Sequence, residues 1–161
     1  MESLNIRGLD TMAMNSQELM NYANELASFS KDPSTKIGAL LVRDEMIIGR
    51  GWNRLAKGFE DTDLNWSRPR KYDIVVHAEQ SSIYDAAFRG NSTEGSEMYS
   101  NYAACTNCAK AIVSSGISVL YRNEPMDNPR WMEEVEKGDK ILAQGGVSIV
   151  TMPLKGEQSN E

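Results

Sequence analysis

Soft metal ligands are scarce in this chain: one histidine and two cysteines stand among 161 residues. Two cysteines three positions apart cannot build the disulfide framework that staples small secreted domains. A basic excess is missing too. Lys and Arg number 17 against 23 Asp and Glu, for a net charge of −6 and a pI near 4.9. That balance argues against a general nucleic-acid binder. Small phosphorylated ligands stay open, since a few local cations suffice for them. No run is apolar enough to span a bilayer, so no membrane partner is expected. Residues 1–14 lack the basic stretch and apolar run of a secretory signal. A cytoplasmic, reducing setting is the expectation. No internal repeat or low-complexity tract interrupts the chain, and its length suits a single domain. The core is expected over about 16–151, with a polar tail beyond it.

Periodicity and turn residues give an α-β-β-α-β-α-β-α-β order. Asn15 and Glu18 have the spacing of a helix-capping box. Leu19, Met20, Ala23, Leu26 and Ala27 then share one helical face. That helix must stop before Asp32-Pro33. Ile37 to Val42 reads as a buried strand, and Met46 to Asn53 as its hairpin partner across Arg43-Asp44-Glu45. Gly49 and Gly51 in the second strand signal a bend or a close backbone approach. Arg54 to Asp73 is a long polar loop of the functional or mobile kind. Val75-Val76-His77-Ala78-Glu79 opens a helix that ends at Gly90. A strand over Met98 to Ala103, a helix over Cys105 to Ser115 and a strand over Ile117 to Tyr121 follow. Strands joined by a helix are expected to run parallel. A helix from Asn128-Pro129 to about Ala143 and a strand over Val147 to Thr151 complete the order. Such alternation implies an α/β fold, a mixed five-stranded sheet with helices on both faces.

The scarce residues are concentrated in two short stretches. His77 and Glu79 form H-x-E, and Cys105 and Cys108 form C-x-x-C. One imidazole and two thiolates are three good ligands for Zn2+, and they leave one position open, as a catalytic site does. Cys105 and Cys108 share a helix face at i, i+3. Their place in a first helical turn favours negative charge. Water held at the open position loses a proton near neutrality, its pKa falling from about 15.7 to about 7. Glu79, beside the metal and not on it, is placed to shuttle protons. H-x-E with a later P-C-x-x-C is the pattern of zinc nucleobase deaminases, which attack the amino-bearing ring carbon and release ammonia. Here Ala104 stands where that proline would be. A redox C-x-x-C pair, a structural zinc site closed by a carboxylate, and a non-enzymatic zinc-binding module are the competing readings. Trp52 and Trp66 suit a pocket or simple packing equally.

Several stretches beyond these motifs resemble one family. Ser30-Lys31-Asp32-Pro33 with Ile37-Gly38-Ala39 resembles its SKDP-x-x-x-VGA. Gly51-Trp52-Asn53 is similar to its G-Y-N, and Trp66-Ser67-Arg68 to a W-x-R in its long loop. Lys71-Tyr72 leading to His77-Ala78-Glu79, and Cys105-x-x-Cys108-Ala109-Lys110, complete the set. The chain resembles the deoxycytidylate (dCMP) deaminases of the cytidine deaminase superfamily, in the form of phages and eukaryotes. The resemblance implies a three-layer fold and hydrolysis of dCMP to dUMP. It implies that Asn53 contacts the sugar or phosphate, that the Ala78 N–H holds the pyrimidine carbonyl, and that the Ala104 carbonyl faces the amino group. Tyr121 and Arg122 become candidates for the phosphate side. It further implies a homohexamer activated by dCTP and inhibited by dTTP with Mg2+. The regulator would meet Lys31, Asp32 and the segment holding Arg54, Gly58 and Asp61.

The departures fall outside the zinc motifs. Ala104 replaces a proline that would restrict the backbone. Trp52 replaces a tyrosine. Arg54-Leu55-Ala56 replaces the family's G-x-P. A tRNA adenosine deaminase is the alternative enzyme, and both the acidic charge and the SKDP stretch speak against it. dCTP in place of dCMP as the substrate stays open.

Overall fold

The computed structural model describes residues 14–124 and 128–154. Helix α1 (Ser16–Ala27) begins at the capping box read from the sequence: Asn15 accepts from the Glu18 amide at 2.9 Å, and Glu18 accepts from the Asn15 amide at 3.3 Å. It buries Leu19, Met20, Ala23, Leu26 and Ala27, the predicted stripe. Fully burying a Leu or Met side chain is worth about 1.5–3 kcal/mol, so packing rather than propensity fixes this helix.

Strands β1 (Gly38–Arg43) and β2 (Met46–Trp52) form the expected hairpin. Asp44 and Glu45 both take positive φ, 50° and 61°, which matches the right-handed twist of the flanking strands. Strand β5 (Glu97–Ser100) lies antiparallel to β1. Strands β6 (Val119–Asn123) and β7 (Ser148–Met152) extend the sheet in parallel. The sheet order is β2-β1-β5-β6-β7.

The faces of the sheet differ. Leu40, Val42, Ile47 and Tyr99 pack against α1. Leu41, Ile48, Met98 and Leu120 pack against α4 (Ala78–Phe88), α5 (Thr106–Ser114) and α6 (Pro129–Gln144). This is the three-layer α/β arrangement expected. Gly49 and Gly51 let α4 lie directly on β2: a Cβ at either would come within 2.3 and 2.4 Å of the Ser82 backbone. The close approach read from those glycines is therefore what seats the helix that follows His77.

Two expectations need correction. The stretch after Asn53 is not a plain loop. It contains β3 (Arg54–Leu55), α2 (Asp63–Trp66), α3 (Arg70–Ile74) and β4 (Val75–Val76). Thr62 caps α2 by accepting from the Asn65 amide at 3.1 Å, and Trp66 is buried with its Nε1 donating to Asp61 at 2.9 Å. Helices of four and five residues are too short to show a period. The helix after this stretch also starts later than expected. Val75 and Val76 pair with Leu55 and Arg54 instead, as suits β-branched residues. The expected polar tail at 155–161 lies outside the described residues. No helix among the described residues is long and apolar enough to cross a membrane.

Candidate zinc-dependent active site

Two helix N-termini converge on the α4–α5 face of the sheet. His77 is the N-cap of α4 and Cys105 the N-cap of α5. Cys108 follows in the first turn of α5. The His77 Nδ1 lies 3.5 Å from the Cys105 Sγ and 3.3 Å from the Cys108 Sγ. All three ligand atoms lie within 4.8 Å of one another. A tetrahedral zinc with Zn–N about 2.0 Å and Zn–S about 2.3 Å sets nitrogen and sulfur about 3.5 Å apart. The donor set therefore fits Zn2+ in kind and in spacing. Among the described residues no other group of three such side chains converges.

The protein tunes both thiols. The Cys105 thiol is pushed down to about 4, first by a hydrogen bond from Cys108 and then by His77. Its sulfur also accepts from the Cys108 amide at 3.5 Å. The Cys108 thiol is pushed up, by its bond to Cys105 and by burial. Cys105 thus holds the negative charge of the pair, which favours the imidazolium and raises the His77 pKa.

Glu79 lies in the first turn of α4 and is 2 % exposed. Burial raises its pKa. Its Oε1 accepts from the Ser100 hydroxyl at 3.2 Å. The Ala78 amide lies in the first turn of α4, where N–H groups have no partner within the helix. These groups make up a site with three ligands, one buried carboxylate and the first-turn N–H of Ala78.

Other predicted site residues stand elsewhere. Asn53 is buried, and its amide is fully engaged: Oδ1 accepts from Ile37 N at 2.8 Å, and Nδ2 donates to Asp32 at 3.2 Å and to the Thr35 carbonyl at 2.7 Å. It ties down the Ser30–Ile37 turn rather than presenting donors outward. Tyr121 stacks on Tyr99, with centroids 4.4 Å apart, on the α1 face of the sheet. That is the face opposite the cysteines. Arg122 is on the right face, but both terminal nitrogens hold Asp139 of α6, at 2.6 and 3.0 Å. Its fork is taken up by that pair. The Ala104 carbonyl oxygen lies against α6 at Gly138, where a Cβ would come within 2.6 Å of it.

Asp32 lies in a closed polar cluster. It is 3 % exposed and pairs with buried Lys71 at 2.8 Å. It also accepts from the amides of Ser34 and Thr35, at 2.8 and 3.4 Å. Burial opposes its charge, but Lys71 and those amides prevail and hold its carboxyl below the usual range. Such a carboxylate is not available to an exposed magnesium. Lys31, Arg54, Gly58 and Asp61 remain on the surface. Arg54 lies over the Trp52 ring at 5.2 Å.

The sequence reading missed Ser100, Lys71, Glu134 and Gly138. A polar residue at the end of an apolar strand was a signal for Ser100. A glycine inside a helical pattern was one for Gly138.

The zinc-binding region of the cytidine and deoxycytidylate deaminases matches residues 13–122. The chain belongs to that deaminase family. A deaminase from the luxG 3′ region of Aliivibrio fischeri, itself uncharacterized, is 32 % identical over 134 residues, covering 82 % of this chain and 89 % of that protein. Human deoxycytidylate deaminase is 38 % identical over 100 residues, 56 % of this chain and 54 % of its own length. The chain thus matches about half of that relative's length. The crystal structure of a cyanophage S-TIM5 dCMP deaminase with dCMP and dUMP superposes with a TM-score of 0.70 at 26 % identity, covering 84 % of this chain and 95 % of that one. The deaminase family match ends at Arg122, so α6 lies beyond it.

Proposed function

We propose that this chain hydrolyses dCMP to dUMP and ammonia. The observation that carries the reading is Glu79: a buried carboxylate two residues past a zinc ligand, accepting from the Ser100 hydroxyl and set beside His77 and Cys108. The likeness to a cyanophage enzyme solved with dCMP and dUMP supports the substrate.

His77, Cys105 and Cys108 hold the zinc. Bound zinc supplies acidity, bringing water to a pKa of about 7. Glu79 takes the proton of the attacking water at Oε1 or Oε2, and the oxygen bonds to the amino-bearing ring carbon. Glu79 then delivers that proton to the adjacent ring nitrogen. A second proton, from the new hydroxyl, passes through Glu79 to the amine as the C–N bond breaks. Ammonia leaves, and the ring keeps a carbonyl. The Ser100 hydroxyl aims Glu79 throughout. The Ala78 N–H is assigned to the pyrimidine carbonyl.

Regulation belongs to the same proposal. dCTP activates and dTTP inhibits, with Mg2+, through the exposed set of Lys31, Arg54, Gly58 and Asp61, in a homohexamer in the cytoplasm. The test is ammonia release from dCMP by zinc-loaded protein, with and without each triphosphate. Turnover raised by dCTP and lowered by dTTP supports the full reading. Turnover indifferent to both removes the regulation. No turnover of dCMP, with turnover of dCTP or tRNA instead, overturns the substrate.

A further inference from the structure

One turn, Ala104–Thr106, carries the first thiol and leads into the second. The zinc deaminase pattern places proline before the first cysteine, and proline would fix φ there. This chain has Ala104. The turn is instead held from outside, by α6.

Gly138 is the closest point. A Cβ there would stand 2.6 Å from the Ala104 carbonyl oxygen and 3.4 Å from the Cys105 carbonyl carbon, so the helix backbone rests directly on the turn. One helical turn earlier, Glu134 reaches the same segment. Its Oε1 accepts from the Thr106 amide at 3.0 Å and from the Thr106 hydroxyl at 2.7 Å. Neighbouring Lys137 pairs with Glu133 at 3.1 Å, which leaves Glu134 to Thr106. The two residues are i, i+4 and share one stripe of the helix. Glycine inside a helix costs about 1 kcal/mol relative to alanine, and the contact accounts for its presence here.

The donors of the α5 N-terminus are thereby divided. Thr106 N–H goes to Glu134, and Cys108 N–H goes to the Cys105 sulfur. Without Glu134 the Thr106 amide would lose its partner, and the Cys105 backbone would lose its anchor.

We infer that Glu134 and Gly138 are positioning residues which hold the Ala104–Thr106 turn, and with it both zinc thiolates, in place of the missing proline. A proline at 104 and the α6 contacts are alternative devices: either one fixes the same turn. Zinc retention therefore depends on a residue 28 positions from Thr106 that is not a ligand.

This rests on the zinc site proposed above, but its readout does not need dCMP turnover. Zinc-loaded parent, Glu134→Ala, Glu134→Gln, Ala104→Pro and the Ala104→Pro/Glu134→Ala pair are mixed with a chromogenic chelator, and zinc release is timed. Outer-shell partners of zinc ligands typically change metal affinity by about 10–100-fold. Glu134→Ala is expected to release zinc about tenfold faster, at the low end of that range. Glu134→Gln should stay close to the parent, because its amide oxygen accepts the same two bonds. In the Ala104→Pro background, Glu134→Ala should change the rate little. Parental release by Glu134→Ala, or an undiminished effect beside proline, overturns the inference.

If Ala104→Pro does not fold, Gly138→Ala takes its place. It lifts α6 from the turn, so adding Glu134→Ala should then have little further effect, and full additivity overturns the inference. The zinc-free melting temperature separates the roles. It should be unchanged in Glu134→Ala. A fall there with parental zinc release would make Glu134 a fold residue and sink the idea. If dCMP is not deaminated but zinc release follows the expected order, the substrate fails and this inference stands.

Discussion

Two buried polar clusters can be compared directly. Around Asp32, the charges close on each other. Lys71, Asn53 and two backbone amides meet one carboxylate, and a buried pair so completely bonded has nothing left to offer a ligand. Around Glu79, the polar groups converge without closing. His77, Cys105 and Cys108 face a common point, and Glu79 meets the Ser100 hydroxyl and the Cys108 thiol rather than a lysine or arginine. Burial works against both charges: at Asp32 Lys71 and the amides prevail over it, whereas at Glu79 burial prevails. A saturated cluster fixes the fold. An unsaturated one is destabilising unless something binds there, which is why it marks the site.

Substitutions should break the two clusters in opposite ways. The largest effect is expected from Cys108→Ala. Removing a thiolate from a site with three protein ligands should abolish stoichiometric zinc binding, measured by metal analysis after dialysis, and turnover with it. Retention of zinc at one per chain would mean that another ligand completes the site.

Lys71→Met comes next. Removing one partner of a buried pair costs about 3–5 kcal/mol, and the low end applies because Ser34, Thr35 and Asn53 still bond Asp32. Denaturant unfolding should show about 3 kcal/mol lost, with the zinc stoichiometry kept. A variant of parental stability would show that the pair contributes no net stability.

The same pair sets an acid limb. The folded pKa of Asp32 lies below its unfolded value of about 3.9. Its contribution to stability is therefore full above about pH 4 and is lost as pH falls through the folded value. In Lys71→Met this limb should flatten, as read by unfolding titrations from neutral pH downward. An identical acid slope in both proteins would assign the limb to other carboxylates.

The smallest effect is expected at Tyr121. It stacks on the α1 face, away from the cysteines, so Tyr121→Phe should leave the KM for dCMP unchanged and stability within about 0.5 kcal/mol. A raised KM would bring Tyr121 back to the phosphate.

The ligands were legible because each pair is local. His77 and Glu79 are two apart, Cys105 and Cys108 three apart, and the chain has no other histidine or cysteine. Capping, hairpin and helix-face readings were local as well, and α1, β1, β2 and α6 follow them. What escaped lies in pairs distant in sequence: Asp32 with Lys71, 39 positions apart, and Thr106 with Glu134, 28 apart. Neither spacing follows a period. The facing of Tyr121 and Arg122 was not legible for another reason. Neighbours in a strand point to opposite faces, so a position near the zinc helices did not decide which side chain met them. The sheet register does, pairing Tyr121 with Tyr99 and Arg122 with Ser100.

The most direct test compares ammonia release from dCMP by the parent and by Glu79→Gln at equal zinc content. The account predicts that the variant folds, binds one zinc and melts no lower than the parent, because a charge that burial disfavours is gone. Its turnover should fall by about 10²–10⁴-fold, the usual contribution of a positioned proton shuttle. Turnover at the parental rate with zinc bound would contradict the account, because the one unsaturated carboxylate at the site would then have no part in the reaction.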